Sequence, residues 1–236
     1  MVDQAFSFDG GSNGAAVDVP HNDNQNTGAQ IGVDAWIFIP SSIGFGNGLN
    51  TASIVNKRSP SNSEGYTLEL VNGFSGDSRN GFHPVNNGLQ FEITTTNGSF
   101  VNAIVGDVIF TDQWYHVAGT YDGSTIKVFV NGSEVASKSI SGSIVSVTDD
   151  FVIGRNVVNG RSFPGLIDEV ELFDRALTQK KIQKIFNAGS AGKCKRRRRR
   201  PTLGLTRAMP AIPCSWVTTS STRLRWRTKV PTLPQT

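Results

Sequence analysis

Residues Thr111–Val135 are TDQWYHVAGTYDGSTIKVFVNGSEV. Asp122-Gly123 and Asn131-Gly132 interrupt the stretch, and such dipeptides supply the positive φ angles that tight hairpin turns need. Between them Ile126, Val128 and Val130 alternate with Thr125, Lys127 and Phe129. That period is two, not the 3.6 of a helix. The stretch is expected to form an antiparallel meander of three strands at the centre of a sheet.

Outward from this meander, Ala5–Phe8, Ala15–Val19, Ser53–Asn56, Tyr66–Val71, Leu89–Thr95, Phe100–Val105, Phe151–Gly154 and Phe163–Arg175 are further strand candidates, separated by turn residues. Ala29–Pro40 is the longest: Ile31, Val33, Ala35, Ile37 and Ile39 share one face, and Asp34, Trp36 and Phe38 share the other. Pro40 ends it, having no N–H for a ladder. Asn72–Asn87 is the least regular part. One helix is convincing: Thr178 can cap it, Ile182, Ile185 and Phe186 form its apolar stripe, and Asn187-Ala188-Gly189 stops it. Many short strands with one small helix predict an all-β sandwich.

The charge is segregated. Residues 1–190 hold 11 Lys and Arg against all 19 acidic residues, a net −8, whereas residues 191–236 hold 12 basic residues and no acid. No nucleic-acid partner is therefore expected for the folded part, although the whole chain is basic. No run of ~18 apolar residues predicts a membrane span. MVDQAFSFDG lacks the charged and apolar regions of an export signal, and the chain opens directly on a strand pattern, as a domain cut from a longer protein would. Cys194 and Cys214 both lie in the basic segment, so no disulfide framework is available to residues 1–190.

From Lys193 onward the text becomes KCKRRRRR and then a Pro-, Thr- and Arg-rich segment without periodicity, expected to be a disordered tail over 191–236. A Pro-Thr linker encoded as CCG-ACG repeats becomes CGA-CGC, Arg-Arg, in the next frame. The tail is expected to be a frame-shifted linker that once led to another domain, the alternative being a real nucleic-acid or targeting patch at Arg196–Arg200, and the coding DNA tests this.

Trp114–Gly123 (WYHVAGTYDG), Val130-Asn131-Gly132 and Gly165–Leu177 (GLIDEVELFDRAL) before the short helix resemble the laminin-G-like and pentraxin-like domains. Phe8-Asp9-Gly10 and Val33–Ile37 (VDAWI) are similar to that family's first strands. The resemblance runs from residue 5 to about 190. It implies a concanavalin A-like jelly roll of two antiparallel sheets, one concave, with the first and last strands as neighbours. Similar domains bind carbohydrates, calcium or proteins, and many are modules of large secreted proteins.

Relatives on this fold hydrolyse β-glucans with Glu-x-Asp-x-Glu on one strand. Ile167-Asp168-Glu169-Val170-Glu171 is the best counterpart here, but no triad forms on one face, so a catalytic role is not expected. Unbroken alternation leaves Glu169 and Glu171 solvated and turns Asp168 inward beside Leu166, Val170 and Leu172. An inward acid needs a cation or backbone N–H donors. Calcium fits, and if first and last strands are neighbours, Asp9 and Asn13 can join Asp168 as ligands; Asp168 tying down a turn is the equal alternative. Trp36 and Phe38, with Asp34 alongside, could stack against a sugar ring, although a tryptophan in a sandwich strand more often packs. The loops at 72–87 and 156–161 offer Arg79, His83 and Arg161 as polar contacts.

The expected function is a non-catalytic carbohydrate- or glycoconjugate-binding module of an extracellular or cell-surface multidomain protein, with possible structural Ca2+. The alternative is an adhesive protein-interaction domain without a sugar site.

Overall fold

The computed structural model describes residues 5–11, 14–44, 51–61, 63–75, 83–98 and 100–189, together with the backbone of 223–225. Two antiparallel sheets face one another. The seven-stranded sheet runs β1 (Phe6–Ser7), β12 (Leu166–Phe173), β3 (Ile31–Phe38), β8 (Trp114–Tyr121), β9 (Thr125–Val130) and β10 (Ser133–Ser139), with its seventh strand, β13 (Arg223–Arg225), beside β12. The six-stranded sheet runs β2 (Val17–Val19), β11 (Phe151–Ile153), β4 (Thr51–Arg58), β5 (Gly65–Ser75), β6 (His83–Thr94) and β7 (Phe100–Val105). The expected meander is β8–β9–β10, turning where Asn131 and Gly132 both have positive φ. First and last strands are neighbours, with Phe6 opposite Ile167.

Alternation places Ile31, Val33, Ala35 and Ile37 of β3 against Leu68, Leu70, Leu89, Phe91 and Ile93 of the facing sheet, in one apolar cluster. Gly119 sits on the core face of β8, where an added Cβ would lie 2.3 Å from the Phe91 ring. The aromatic ring fills the space that a side chain would take, the close approach for which a strand glycine is used.

A second apolar cluster lies outside the sandwich. The helix α1 (Gln179–Ala188), capped by Thr178, packs Ile182 and Ile185 with Leu177 on Ala118, Phe129 and Phe173. A Cβ at Gly32 would meet Leu177 and the Arg175 carbonyl, each at 2.9 Å, so the chain entering the helix crosses directly over that glycine.

Two elements depart from expectation. The hairpin β5–β6 extends into the supposedly irregular stretch, Gly73, Phe74 and Ser75 pairing with Val85, Pro84 and His83. Within the basic segment, β13 (Arg223–Arg225) pairs with β12, so three residues of the expected structureless tail form a strand.

Gly119→Ala is expected to cost ~1–3 kcal/mol by overpacking. It should lower the melting temperature by several degrees, and Phe91→Leu in the same background should recover part of the loss. A Gly119→Ala protein as stable as wild type in denaturant melts would contradict this packing.

Candidate functional site

The outer face of the seven-stranded sheet is a lattice of cross-strand rows. Leu166–Phe38–Trp114 forms the first, Asp168–Trp36–His116 the second and Glu171–Asp34–Ala118 the third. Its register depends on a bulge, because Glu169 and Val170 together stand opposite Ala35. Glu169 has φ +53°, and its N–H donates to Asp168 Oδ1 at 2.7 Å. The extra residue lets Ile167, Val170 and Leu172 all reach the core, while Asp168 and Glu171 share the outer face.

This corrects two expectations. Asp168 is not on the face of Val170 and Leu172, and Glu169 and Glu171 are buried rather than solvated. Asp34 is also wholly buried, 0% exposed, with His116 Nε2 at 3.3 Å from its Oδ2. Trp36 stacks on Phe186 of α1 at 5.9 Å and meets His116 edge-on at 5.4 Å. The helix thus packs against the platform expected to receive a sugar at Asp34 and Trp36.

The first row lies beyond that cover. Phe38 and Trp114 form a tilted pair, ring centroids 5.6 Å apart, and both are partly exposed, as is Leu166. The chain around them is fixed. Asp112 N–H donates to the Ile39 carbonyl at 2.8 Å, and the Asp112 carboxylate accepts the Ser41 N–H at 2.8 Å, which holds its carboxyl below the usual range. Phe110, 47% exposed, and Ile43, 39% exposed, belong to the two segments so joined. An exposed Asp112 and Gln113 add polar groups beside them.

Of the expected calcium ligands, Asp9 and Asp168 stand at different points along the paired first and last strands. Asp9 lies near Pro164, since the Gly10 N–H donates to the Phe163 carbonyl. Pro164 and Asp168 are four positions apart, roughly 13 Å along an extended chain at ~3.3 Å per residue. The Asp9 carboxylate instead accepts the Gly11 N–H at 3.0 Å. Asn13 and Arg79 lie outside the described residues, as does the side chain of His83. Among the described residues no group of three His, Cys, Asp or Glu could hold a metal. Arg161 stands elsewhere, in the turn over the six-stranded sheet, where Asn156 reaches Thr51 Oγ1 at 3.1 Å and Glu69 Oε2 at 2.9 Å.

Sequence reasoning passed over the outer face of that second sheet. Tyr66, Leu68 and Leu70 point into the core, so Thr67 and Glu69 point away, and Gln90, Glu92 and Asn102 follow the same rule. All five are buried. The Glu69 carboxylate accepts from Gln90 Nε2 at 2.6 Å, Ser53 Oγ at 3.1 Å and Asn156 Nδ2. Glu92 pairs with Arg58, whose guanidinium also lies 5.5 Å from the Phe100 ring centroid. Burial first, then the Glu69 carboxylate, push the Glu92 carboxyl up from 4.5 to about 8 against the pull of Arg58. Burial raises Glu69 too, opposed by Arg58 and by its three donors. The readable signal was Thr-x-Glu opposite Gln-x-Glu on paired strands.

A further buried cation closes one end of the sandwich. Lys57 Nζ donates to the Asp149 carbonyl, to Gln25 Oε1 at 3.0 Å and to His21 Nδ1 at 2.8 Å. Its burial lowers the ammonium from 10.5 to about 8, against nearby Asp150, Asp149 and Asp23.

Native Glu92 keeps a proton that the unfolded chain has released between pH 4.5 and about 8. That stabilisation is complete below 4.5 and is lost as pH rises through 8. The melting temperature is therefore expected to fall from about pH 5 to about pH 8. Glu92→Gln should flatten this fall, and a slope unchanged in the variant would remove Glu92 as its cause.

Comparison with known proteins places this architecture. The Laminin_G_3 model, of the concanavalin A-like lectin/glucanases superfamily, matches residues 9–183. A stretch of 75 residues is 33% identical to pappalysin-1 of Mus musculus, covering 30% of this chain and 5% of that protein. A solved protein of Bacteroides ovatus, assigned to carbohydrate binding, superposes with TM-score 0.55 at 21% identity, over 77% of this chain and 46% of that one. Domain 4 of AbnA, a GH43 extracellular arabinanase of Geobacillus stearothermophilus solved with arabinotriose, superposes with TM-score 0.53 at 22% identity, over 77% of this chain and 80% of that domain. The chain spans less than half of the first two proteins, and the two solved structures are similar in fold. With its family model matched from Asp9 to Gln183, the chain belongs to the Laminin_G_3 family of the concanavalin A-like lectin/glucanases superfamily.

Proposed function

We propose that the chain is a non-catalytic carbohydrate-binding module of a secreted multidomain protein, holding a sugar against Phe38 and Trp114. The observation that carries this is the partly exposed, tilted pair of those two rings, one row beyond the Trp36 ring on which Phe186 of α1 stacks. A sugar ring presents apolar C–H surface to an aromatic face while its hydroxyls need polar partners, and Asp112, Gln113 and Ser41 stand nearby for that purpose. The family and its solved neighbours support the class of ligand, and one neighbour is a domain of an extracellular enzyme. The small share of pappalysin-1 that the chain covers supports a modular parent.

A non-catalytic role is supported by the state of the acids. Glu69 is engaged by three donors, Glu92 by Arg58, and Glu169 and Glu171 are buried on either side of a bulge residue. A glycosidase needs an acid and a second carboxylate free to meet one glycosidic bond. No helix among the described residues is long and apolar enough to cross a membrane. A second reading, a protein-adhesion domain, is favoured by the exposed apolar side chains Phe110 and Ile43.

On a glycan array the protein is expected to retain a defined set of neutral oligosaccharides. Calorimetry on these should show Trp114→Ala and Phe38→Ala each weakening binding by at least about tenfold, with folding intact by circular dichroism. Silence across the array favours adhesion, and affinity retained in both variants moves the sugar away from this row.

A further inference from the structure

The edge of β12 carries two strands in succession. β3 occupies one side along its whole length, β1 covers the other only at Leu166 and Ile167, and β13 takes over at Glu171, Leu172 and Phe173. Without β13 those three residues would be an open edge, with unpaired N–H and C=O groups ready to template another strand. The register places Arg225 opposite Glu171, Leu224 opposite Leu172 and Arg223 opposite Phe173.

What lies behind this edge is acidic and dry. Glu171 and Asp34 stand directly opposite one another and are both 0% exposed, with Asp168 and Glu169 buried beside them. Directly opposed positions bring Cβ atoms to about 5 Å, a repulsive distance for like charges. Removing carboxylates from water costs several kcal/mol each unless a cation accompanies them. His116 reaches Asp34 from one side of the row. From the other side the register puts Arg225 at the end of the same row, so that Arg225, Glu171 and Asp34 follow one another across three strands. All four acids are engaged, and the basic segment of the chain supplies 12 cationic residues where residues 1–190 are net negative.

We propose that the β12 edge from Glu171 to Phe173, backed by this acid row, is a docking site for an extended basic segment, and that Arg223-Leu224-Arg225 of the same chain is its occupant. Backbone pairing gives the affinity, and the positive charge of the segment gives the preference for an edge backed by acids. The inference stands apart from the carbohydrate reading and uses none of its residues. It makes part of the basic segment a working piece of the domain.

The test uses the full chain. Leu224→Pro removes an N–H from the ladder and is expected to speed amide exchange across Glu171–Phe173 by about tenfold, with a lower melting temperature and unchanged exchange in β9. A synthetic peptide of residues 219–229, added to that variant, should restore protection, less so at high salt, and its Arg223→Ala/Arg225→Ala form should not. If Leu224→Pro fails to fold, Arg225→Gln in the full chain should give the faster exchange at the same three residues. Exchange there equal to wild type in both variants would overturn the docking site. Equal rescue by the arginine-free peptide would overturn its preference for a basic segment.

Discussion

The geometry of the larger sheet depends on one inserted residue. Glu169 and Val170 occupy the space opposite the single Ala35, which reverses the alternation of β12 halfway along. Ile167 before the bulge and Val170 and Leu172 after it can then all enter the core, so the strand loses no apolar burial. Asp168 and Glu171 are turned to the outer face, in line with Trp36 and Asp34. Glu169 adopts φ +53° to allow this, a conformation that usually costs a non-glycine residue ~1–2 kcal/mol. The same device recurs in β4, where a shift between Ser53 and Val55 puts both Ile54 and Val55 in the core and leaves Ser53 and Asn56 outside.

Because of these shifts, neither outer face is a solvated surface of the ordinary kind. One carries buried acids and aromatic rings beneath α1, and the other a layer of buried amides, hydroxyls and carboxylates. Buried polar groups are as a rule hydrogen-bonded. Glu69 meets that demand with three donors, and the chain Asn102–Gln90–Glu69–Asn156 links β7, β6, β5 and the turn after β11. Among the described residues Asn56 Oδ1 and His116 Nδ1 are buried atoms without a hydrogen-bond partner. This polar layer ties neighbouring strands by side chain as well as backbone, which fixes register where an all-apolar face would leave it free to slip.

Sequence alone carried the central meander, the helix and the sandwich class, because period two, Asp-Gly and Asn-Gly turns and a capped helix are local signals. The meander and α1 lie where alternation and the Thr178 cap put them. The bulges were not legible: an extra residue that is not glycine leaves no mark on the pattern, and unbroken alternation assigned Asp168 to the wrong face. Helix docking was also out of reach, since it joins Phe186 to Trp36 across 150 residues of chain. Gly32 was the available hint, as a glycine within a long apolar strand often marks the close passage of another segment. Of the aromatic residues singled out, Phe38 lies in the open row and Trp36 beneath the helix; Trp114, the partner that completes the pair, was visible only as part of the meander.

The division of labour across the larger sheet follows from where the helix ends. α1 covers the rows built on Gly32 and Asp34 and stacks Phe186 on Trp36, which stays partly exposed. One row further, Phe38 and Trp114 retain the same strand neighbours but have partly exposed rings. A rigid β3–β8 ladder holds them, and the Asp112–Ser41 and Asp112–Ile39 hydrogen bonds pin the loops on either side. A ligand held there, as proposed, would meet a preformed surface and cost little side-chain entropy. Here the carboxylates of both sheets that are buried are engaged, and the open row is aromatic.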